Sequence, residues 1–228
     1  DESTITGLLK NNYKSLLEGL WKTIVLALVS FALALVLGVV FGLFRVSPVR
    51  GLRTFAGIYI DIIRGIPMMV LAFFIFFGLP GMTGIKIPDF AAGIITLTLN
   101  ASAYIAEIVR GGIFAVDRGQ FEAAQAIGMT HGQTMRKVVL PQVLRNILPA
   151  TGNEFVINIK DTAVLSVISV ADLFFQGNSA AGTNYQYFQT FAIIGLMYLV
   201  MTITVSRLLR FLESRLDGPA SYEKTETA

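Results

Sequence analysis

The sequence predicts an all-α integral membrane protein with about five transmembrane helices. Of its 228 residues, 54% are hydrophobic and only 14% are charged, whereas soluble domains carry about 25% charged residues. Five stretches are long and apolar enough to cross the hydrocarbon core, which takes about 20 residues of helix. The chain has no cysteine and a single histidine. This composition excludes disulfides and thiolate metal sites, and it argues against a histidine-based metal site.

The predicted spans occupy residues 20–44, 54–79, 90–108, 149–173 and 187–209. The second contains Asp61, Arg64 and Pro67, and polar side chains interrupt the fourth. Before the first span, leucines at helical spacing predict that residues 1–19 form a separate amphipathic helix on the outer membrane surface. The membrane domain is therefore predicted over residues 20–216, with a cytoplasmic tail over residues 217–228.

Basic residues predict the side of the membrane on which each loop lies, because cytoplasmic loops carry an excess of Lys and Arg. Arginines follow the first and fifth spans, and cations are frequent in and beside residues 111–145. By contrast, residues 178–186 contain no cation, and Lys86 stands alone in its loop. The N-terminus is therefore predicted to be outside and the C-terminus cytoplasmic, although Lys10, Lys14 and Lys22 depart from the rule.

The loop over residues 111–145 is predicted to project into the cytosol as two short helices at an angle. Residues 120–127 favour a helix, Gly128 permits a sharp turn, and Thr130 is suited to cap a second helix. Pro141 is expected to stop or bend that second helix. The alternative is an ordinary amphipathic connector between the third and fourth spans.

This loop carries the pattern of a known family. Glu122-Ala123-Ala124, then Gly128, then Val-Val-Leu-Pro at residues 138–141 resembles the EAA loop of ABC-transporter permeases. The segments RGIPMMV (64–70), AYIAEIVRGGI (103–113) and KDTAVLSVISVADL (160–173) are similar to the polar amino acid importer permeases of the histidine/glutamine/glutamate/arginine type. The resemblance covers residues 19–216 and implies the type I ABC importer permease fold.

The resemblance implies a permease subunit that is not an enzyme. It implies coupling to a separate cytosolic ATPase subunit through six residues of the loop: Glu122, Ala123, Ala124, Gly128, Leu140 and Pro141. The sequence has no G-x-x-x-x-G-K-[ST] phosphate-binding loop, so we expect no cofactor in this chain and ATP and Mg²⁺ in the partner subunit.

Three further expectations follow from the same resemblance. The first is a prokaryotic plasma membrane location. The second is a second permease subunit, identical or different. The third is a substrate-binding protein outside, either extracellular or periplasmic, or a binding domain fused to the permease. The expected ligand is a small molecule, a polar amino acid of the glutamine, glutamate, arginine or histidine class, with no role for nucleic acid.

Polar residues inside the predicted spans are the candidates for substrate contact, because ionisable groups in the bilayer are costly and face cavities or partners. Two sets of polar residues at helical spacing meet this description, one in the third predicted span and one in the fourth. The candidate substrate-binding residues are Asn100, Tyr104, Glu154, Asn158, Lys160 and Asp161. Lys160 is suited to a substrate carboxylate, and Glu154 or Asp161 to an ammonium group. The alternative is that Lys160 and Asp161 only hold the helices together.

A second group of residues is predicted to be structural or to form a gate. Asp61 and Arg64 lie three residues apart and are expected to pair, while Pro67 frees backbone carbonyls. Glu107 and Arg110 lie close to the cytoplasmic end of the third span. The alternative function for the whole chain is a self-sufficient secondary transporter or channel for small polar solutes, although such transporters commonly show internal repeats and the sequence shows none.

Overall fold

The structure is a computed structural model that describes residues 5–216 as a bundle of helices. Helix α1 (Ile5–Arg45), α5 (Asp89–Phe114) and α10 (Tyr187–Leu216) contain stretches long and apolar enough to cross a membrane. The pair α2 (Arg50–Gly65) and Met68–Thr83 is also long and apolar enough when taken together, and its bend of 103° is that of a broken span or a re-entrant loop. Helix α8 (Leu140–Asp161) packs among them in the place of the predicted fourth span.

The boundary predicted at residue 19 does not coincide with a helix end. Residues 5–19 are the first turns of α1, which runs for 41 residues without a break and is therefore about 61 Å long. A Cβ at Gly19 would lie 2.8 Å from the carbonyl oxygen of Asp172. Because the two backbones approach this closely, the α1 segment that carries Leu8 and Leu16 is held against α9 (Leu173–Asn184). That residues 1–19 lie on the outer membrane surface stays a prediction. Residues 1–4 and the predicted cytoplasmic tail, residues 217–228, lie outside the described residues.

The second predicted span is broken at Pro67. Ile66 is extended, with φ −102° and ψ 132°, as expected for a residue before proline. The chain restarts as α3 (Met68–Phe73), continues as a π-helical turn (Phe74–Gly78) and ends in α4 (Leu79–Thr83). The break leaves the backbone of residues 64–68 beside α5 and α8.

Pro141 does not stop the second loop helix, so the predicted stop is wrong, while the predicted bend stays a prediction. The short α7 (His131–Thr134) passes through a π-helical turn (Met135–Val139) directly into α8. A proline in a helix lacks an N–H and clashes with the carbonyl four residues earlier. The wider π turn, in which the Leu140 N–H donates to the Met135 carbonyl, accommodates the ring. The same arrangement precedes Pro80, where the Leu79 N–H donates to Phe74.

The fourth predicted span is not one helix. Helix α8 ends at Asp161, and a 3₁₀ helix (Thr162–Ile168) follows before Ser169, which has φ +67°. A new helix, α9, then begins because Asp172 caps it, accepting a hydrogen bond of 2.9 Å from the Phe175 N–H. Thr23 of α1 accepts from the Leu173 N–H at 3.1 Å. The chain therefore turns inside the bundle at the end of α8.

Close packing of α1 on α5 positions the site. A Cβ at Gly38 would lie 2.6 Å from the Cβ of Ile105, and a Cβ at Gly42 would lie 2.8 Å from the Cβ of Val109. Small residues of this kind let membrane helices approach closely. The polar face of α5 is thereby directed away from α1 and toward α2 and α8.

Candidate functional site

A polar cavity of about 570 Å³ lies between the break after α2, the middle of α5 and the second half of α8. It is lined by Arg64, Gly65, Ile66, Pro67, Met68, Asn100, Tyr104, Glu154, Ile157 and Asp161. The local sequence explains why each of the three segments contributes its lining residues. Pro67 opens the α2–α3 backbone, and Asn100 and Tyr104 lie one turn apart on α5. Glu154, Ile157 and Asp161 recur at steps of three and four along α8.

Two of the lining side chains are buried and have no partner within the described residues. Glu154 is 7% exposed and Asn100 is 9% exposed. Neither side chain makes a hydrogen bond or an ion pair there, and both line the cavity. Among the described residues the fully buried side-chain atoms without a partner are Gln186 Oε1 and Thr190 Oγ1, so the polar atoms of Glu154 and Asn100 are open to the cavity. These groups are therefore available to a polar ligand or to water.

Arg64 and Glu107 connect the cavity to a charged group on α5. The Arg64 guanidinium lies 5.1 Å from the centre of the Tyr104 ring, and its Nη1 lies 4.0 Å from Oε2 of Glu107. Arg110 donates to the same carboxylate, from Nη2 at 2.8 Å and from Nε at 3.1 Å. The expected pairing of Arg64 with Asp61 is not formed, because the guanidinium is directed toward α5; Asp61 is exposed.

Two predicted substrate ligands lie outside the cavity. Asn158 is 2% exposed, and its Nδ2 donates to the Ala27 carbonyl at 3.2 Å and to Ser30 Oγ at 3.0 Å. Asn158 therefore joins α8 to α1 and does not line this cavity, and its role as a substrate ligand stays a prediction. Lys160 is exposed on another side of α8 and does not line the cavity. The cation that does line it is Arg64, for which the sequence predicts only a structural or gate role.

The larger groove of the molecule, about 640 Å³, lies between α1, α8 and α10. Its lining is apolar apart from Thr204, with side chains such as Leu28, Phe155 and Val200. Such a surface offers no charge or amide to a polar solute, so it is a weaker candidate for a solute site than the smaller polar cavity. The polar cavity is therefore the candidate site.

The loop between α5 and α8 forms a compact projection. Asp117 caps α6 (Arg118–Ala126) by accepting from the Gly119 N–H at 2.7 Å. Gly128 has φ +79°, which confirms the predicted turn. Thr130 caps α7 in a reciprocal capping box with Gln133, which confirms the predicted cap.

One side of α6 holds the projection together and the other is open. Ala124 is 3% exposed, and Val116, Val139 and Val143 form a buried cluster beneath the loop with Phe121 packed against it. Glu122 and Ala123 are exposed, and Ile127 is 78% exposed. The exposed side of α6, with Ile127 directly after its last residue, is therefore free of contacts with the rest of the described bundle.

At the far end of the loop, Leu140 and Pro141 differ in exposure. Leu140 is 49% exposed, whereas Pro141 lines a groove beside α1 and α5. Of the six residues predicted to couple the chain to an ATPase, Glu122, Ala123, Gly128 and Leu140 are thus at the surface.

Comparison with known proteins decides the family. Residues 9–218 match the model of the "binding-protein-dependent transport system inner membrane component". The chain belongs to this family. The glutamine transport system permease protein of Escherichia coli K12 is 36% identical to this permease over 202 residues, covering 88% of the chain and 92% of the relative. The arginine transport system permease protein of Bacillus subtilis 168 is 36% identical over 201 residues, with the same coverage of both.

A solved structure agrees with the sequence relatives. The permease superimposes on a chain from a crystal structure of an amino acid ABC transporter with histidines, with a TM-score of 0.87 and 40% identity. The match covers 93% of the permease and 98% of that chain. These findings confirm the predicted all-α, multi-pass fold of the type I ABC importer permeases.

Proposed function

We propose that this permease is the membrane-spanning subunit of an ATP-driven ABC importer for polar amino acids of the glutamine, glutamate, arginine and histidine class. The cavity supports this function most directly. It presents a carboxylate, an amide and a guanidinium within one polar space beside the break in the second span. A zwitterion carries the opposite charges and the hydrogen-bonding groups that such a lining needs.

The lining favours a cationic member of this class. Glu154 and Asp161 both face the cavity, and Arg64 is its one lining cation. The two acids are seven residues apart, which corresponds to roughly 10 Å along a helix. A long cationic amino acid is able to place its ammonium group at one acid and its side-chain cation at the other. Glutamate would bring a second carboxylate into a space where two of the three charged groups are acidic.

Energy is proposed to come from a partner. An ATPase subunit that binds ATP and Mg²⁺ would dock on the exposed side of α6, around Glu122, Ala123 and Ile127. Ala123 allows close approach there, and Ile127 offers an apolar anchor. The turn at Gly128 and the continuous path from α7 into α8 give the docked subunit a rigid connection to the helix that carries Glu154.

We also propose two further partners, a second permease subunit and a binding protein on the outer side. We propose a plasma membrane location with the N-terminus outside. The low cation content of residues 178–186 supports the outward placement of the loop before α10.

The test is substrate-stimulated ATPase activity across a panel of amino acids. The permease is reconstituted into liposomes with its ATPase subunit and its binding protein. We expect arginine or histidine to stimulate ATP hydrolysis most, glutamine less and glutamate least. A panel in which no amino acid stimulates hydrolysis would overturn the proposed function, and strongest stimulation by glutamate would overturn the cationic preference.

A further inference from the structure

A groove of about 530 Å³ runs along the bundle between α1, α5 and the first half of α8. Leu35 and Val39 of α1 and Ile105 and Val109 of α5 form two of its walls. The third wall is α8 over residues 141–151. Apart from one arginine and one threonine, every side chain in this lining is apolar. The groove is therefore suited to an apolar chain more than to a polar solute.

The length of this groove matches one leaflet of a bilayer. Its α8 wall extends from Pro141 to Thr151, which corresponds to about 15 Å along the helix axis. The hydrocarbon core of a bilayer is about 30 Å thick, so each leaflet contributes about 15 Å. One turn beyond Leu35 and Thr151, the rings of Phe31 and Phe155 pack with their centres 4.8 Å apart. This contact closes the groove near the middle of the membrane.

Arg145 is the one charged side chain that lines the groove. It is exposed, and within residues 5–216 it makes no hydrogen bond and no ion pair. Helical side chains tilt toward the N-terminus of their helix, and on α8 that end adjoins the projecting loop. No acidic side chain lines the groove among the described residues. Positive charge is therefore available to an anion at the end of the groove that is proposed to be cytoplasmic.

An apolar groove one leaflet long with a free cation at its cytoplasmic end matches the shape and charge of an anionic phospholipid. The cytoplasmic leaflet carries such lipids, and a guanidinium is suited to a phosphate. We propose that this groove binds an anionic phospholipid of the cytoplasmic leaflet, with an acyl chain along α8 and the phosphate paired with Arg145. A protein surface in this place would have to supply both an apolar strip and an anion, whereas the lipid carries both. The inference goes beyond the proposed function and rests only on the proposed orientation.

Tryptophan fluorescence reports which lipid occupies the groove, because brominated acyl chains quench a tryptophan that they contact. The chain has one tryptophan, Trp21, which is 65% exposed, so Trp21→Phe gives a background without signal. Leu144→Trp is the groove reporter, at a lining residue that is 53% exposed. Val36→Trp reports the bulk lipid, at an α1 residue that is 69% exposed and outside the lining.

The full chain is reconstituted in phosphatidylcholine vesicles, and quenching is compared for increasing fractions of brominated phosphatidylglycerol and brominated phosphatidylcholine. At Leu144→Trp we expect about fivefold preference for phosphatidylglycerol, the factor that one arginine near a membrane surface is worth. At Val36→Trp we expect no preference. Arg145→Gln should remove the preference, and Arg145→Lys should keep part of it because it keeps the charge. The matched control is Arg207→Gln, which removes an exposed cation of α10 outside the groove and should leave the preference intact.

Three results would overturn the assignment. Equal preference at the two reporters would show ordinary boundary lipid without a site. A preference that survives Arg145→Gln, or that falls equally in Arg145→Gln and Arg207→Gln, would assign the effect to the general charge of the surface. Quenching at Val36→Trp with none at Leu144→Trp would show that protein covers the groove.

A second reporter keeps the test decisive if Leu144→Trp does not fold. Leu148→Trp lies in the same lining and is read in the same way. None of these measurements involves an amino acid or an ATPase, so a failure of the lipid site is distinct from a failure of the proposed transport function.

Discussion

At the scale of single residues, whether a polar side chain lines the cavity depends on which helix packs beside it. Glu154 and Asn158 are four residues apart and were expected on the same face. Successive residues turn by about 100°, so Asn158 lies about 40° from Glu154 on one side and Ile157 about 60° on the other. The cavity borders the side of α8 that carries Ile157, and α1 packs against the side that carries Asn158.

The sequence could therefore predict that α8 is polar along one broad face, but not where that face divides between cavity and packing. The dividing line is set by Ala27 and Ser30 of α1, which are about 130 residues away in the chain and leave no local signal. Arg64 illustrates the opposite case. Its place in the lining follows from Pro67, three residues later, and a proline-broken span is a signal that the sequence contains.

Glu154→Gln is the residue-scale prediction, because it removes a charge with little change in shape. We expect coupled transport of arginine or histidine to fall most, about 10-fold or more, since a charged hydrogen bond is lost. Transport of glutamine should fall less, and of glutamate least. The measurement is uptake of each amino acid by the reconstituted complex. The matched control is Glu18→Gln, which removes a carboxylate that pairs with Lys22 at the surface of α1. Equal effects on all four substrates would assign Glu154 to structure.

At the scale of elements, the loop helices were predictable because their signals are local. The positive φ of Gly128 and the Thr130 cap both follow from residue types at fixed spacing. The continuation of α7 into α8 was not predictable, because it depends on a π turn that accommodates Pro141. The same reasoning explains why residues 5–19 join α1: packing of Leu8 and Leu16 with Leu173 of α9 decides it, and that contact is distant in sequence.

Gly128→Val tests the loop as an element. A β-branched side chain at φ +79° is strained, since the left-handed conformation costs an L-residue about 1–2 kcal/mol and a branched residue more. We expect the turn after α6 to distort, so that substrate-stimulated ATP turnover is largely lost while the protein still inserts in the membrane. The control is Gly132→Val in the same loop, where no positive φ is required and a Cβ meets open space. Normal substrate-stimulated turnover in Gly128→Val would contradict the role of this turn.

At the scale of the whole molecule, the alternation of cationic loops predicts the direction in which the bundle crosses the membrane. Because the chain has no cysteine, single cysteines report accessibility without background. We expect Ser179→Cys, exposed on α9, to react with an impermeant thiol reagent added to whole cells. Ile127→Cys, which replaces a residue that is 78% exposed in the loop, should react only after the cells are opened. The reverse pattern would contradict the proposed orientation.

We propose that the permease moves amino acids only when a separate ATPase drives it. Uptake of labelled arginine into liposomes tests this directly, with permease alone compared with permease plus ATPase subunit, binding protein and ATP. We expect accumulation against a gradient in the complete system and none with the permease alone under an ion gradient. Gradient-driven accumulation by the permease alone would instead establish a self-sufficient transporter.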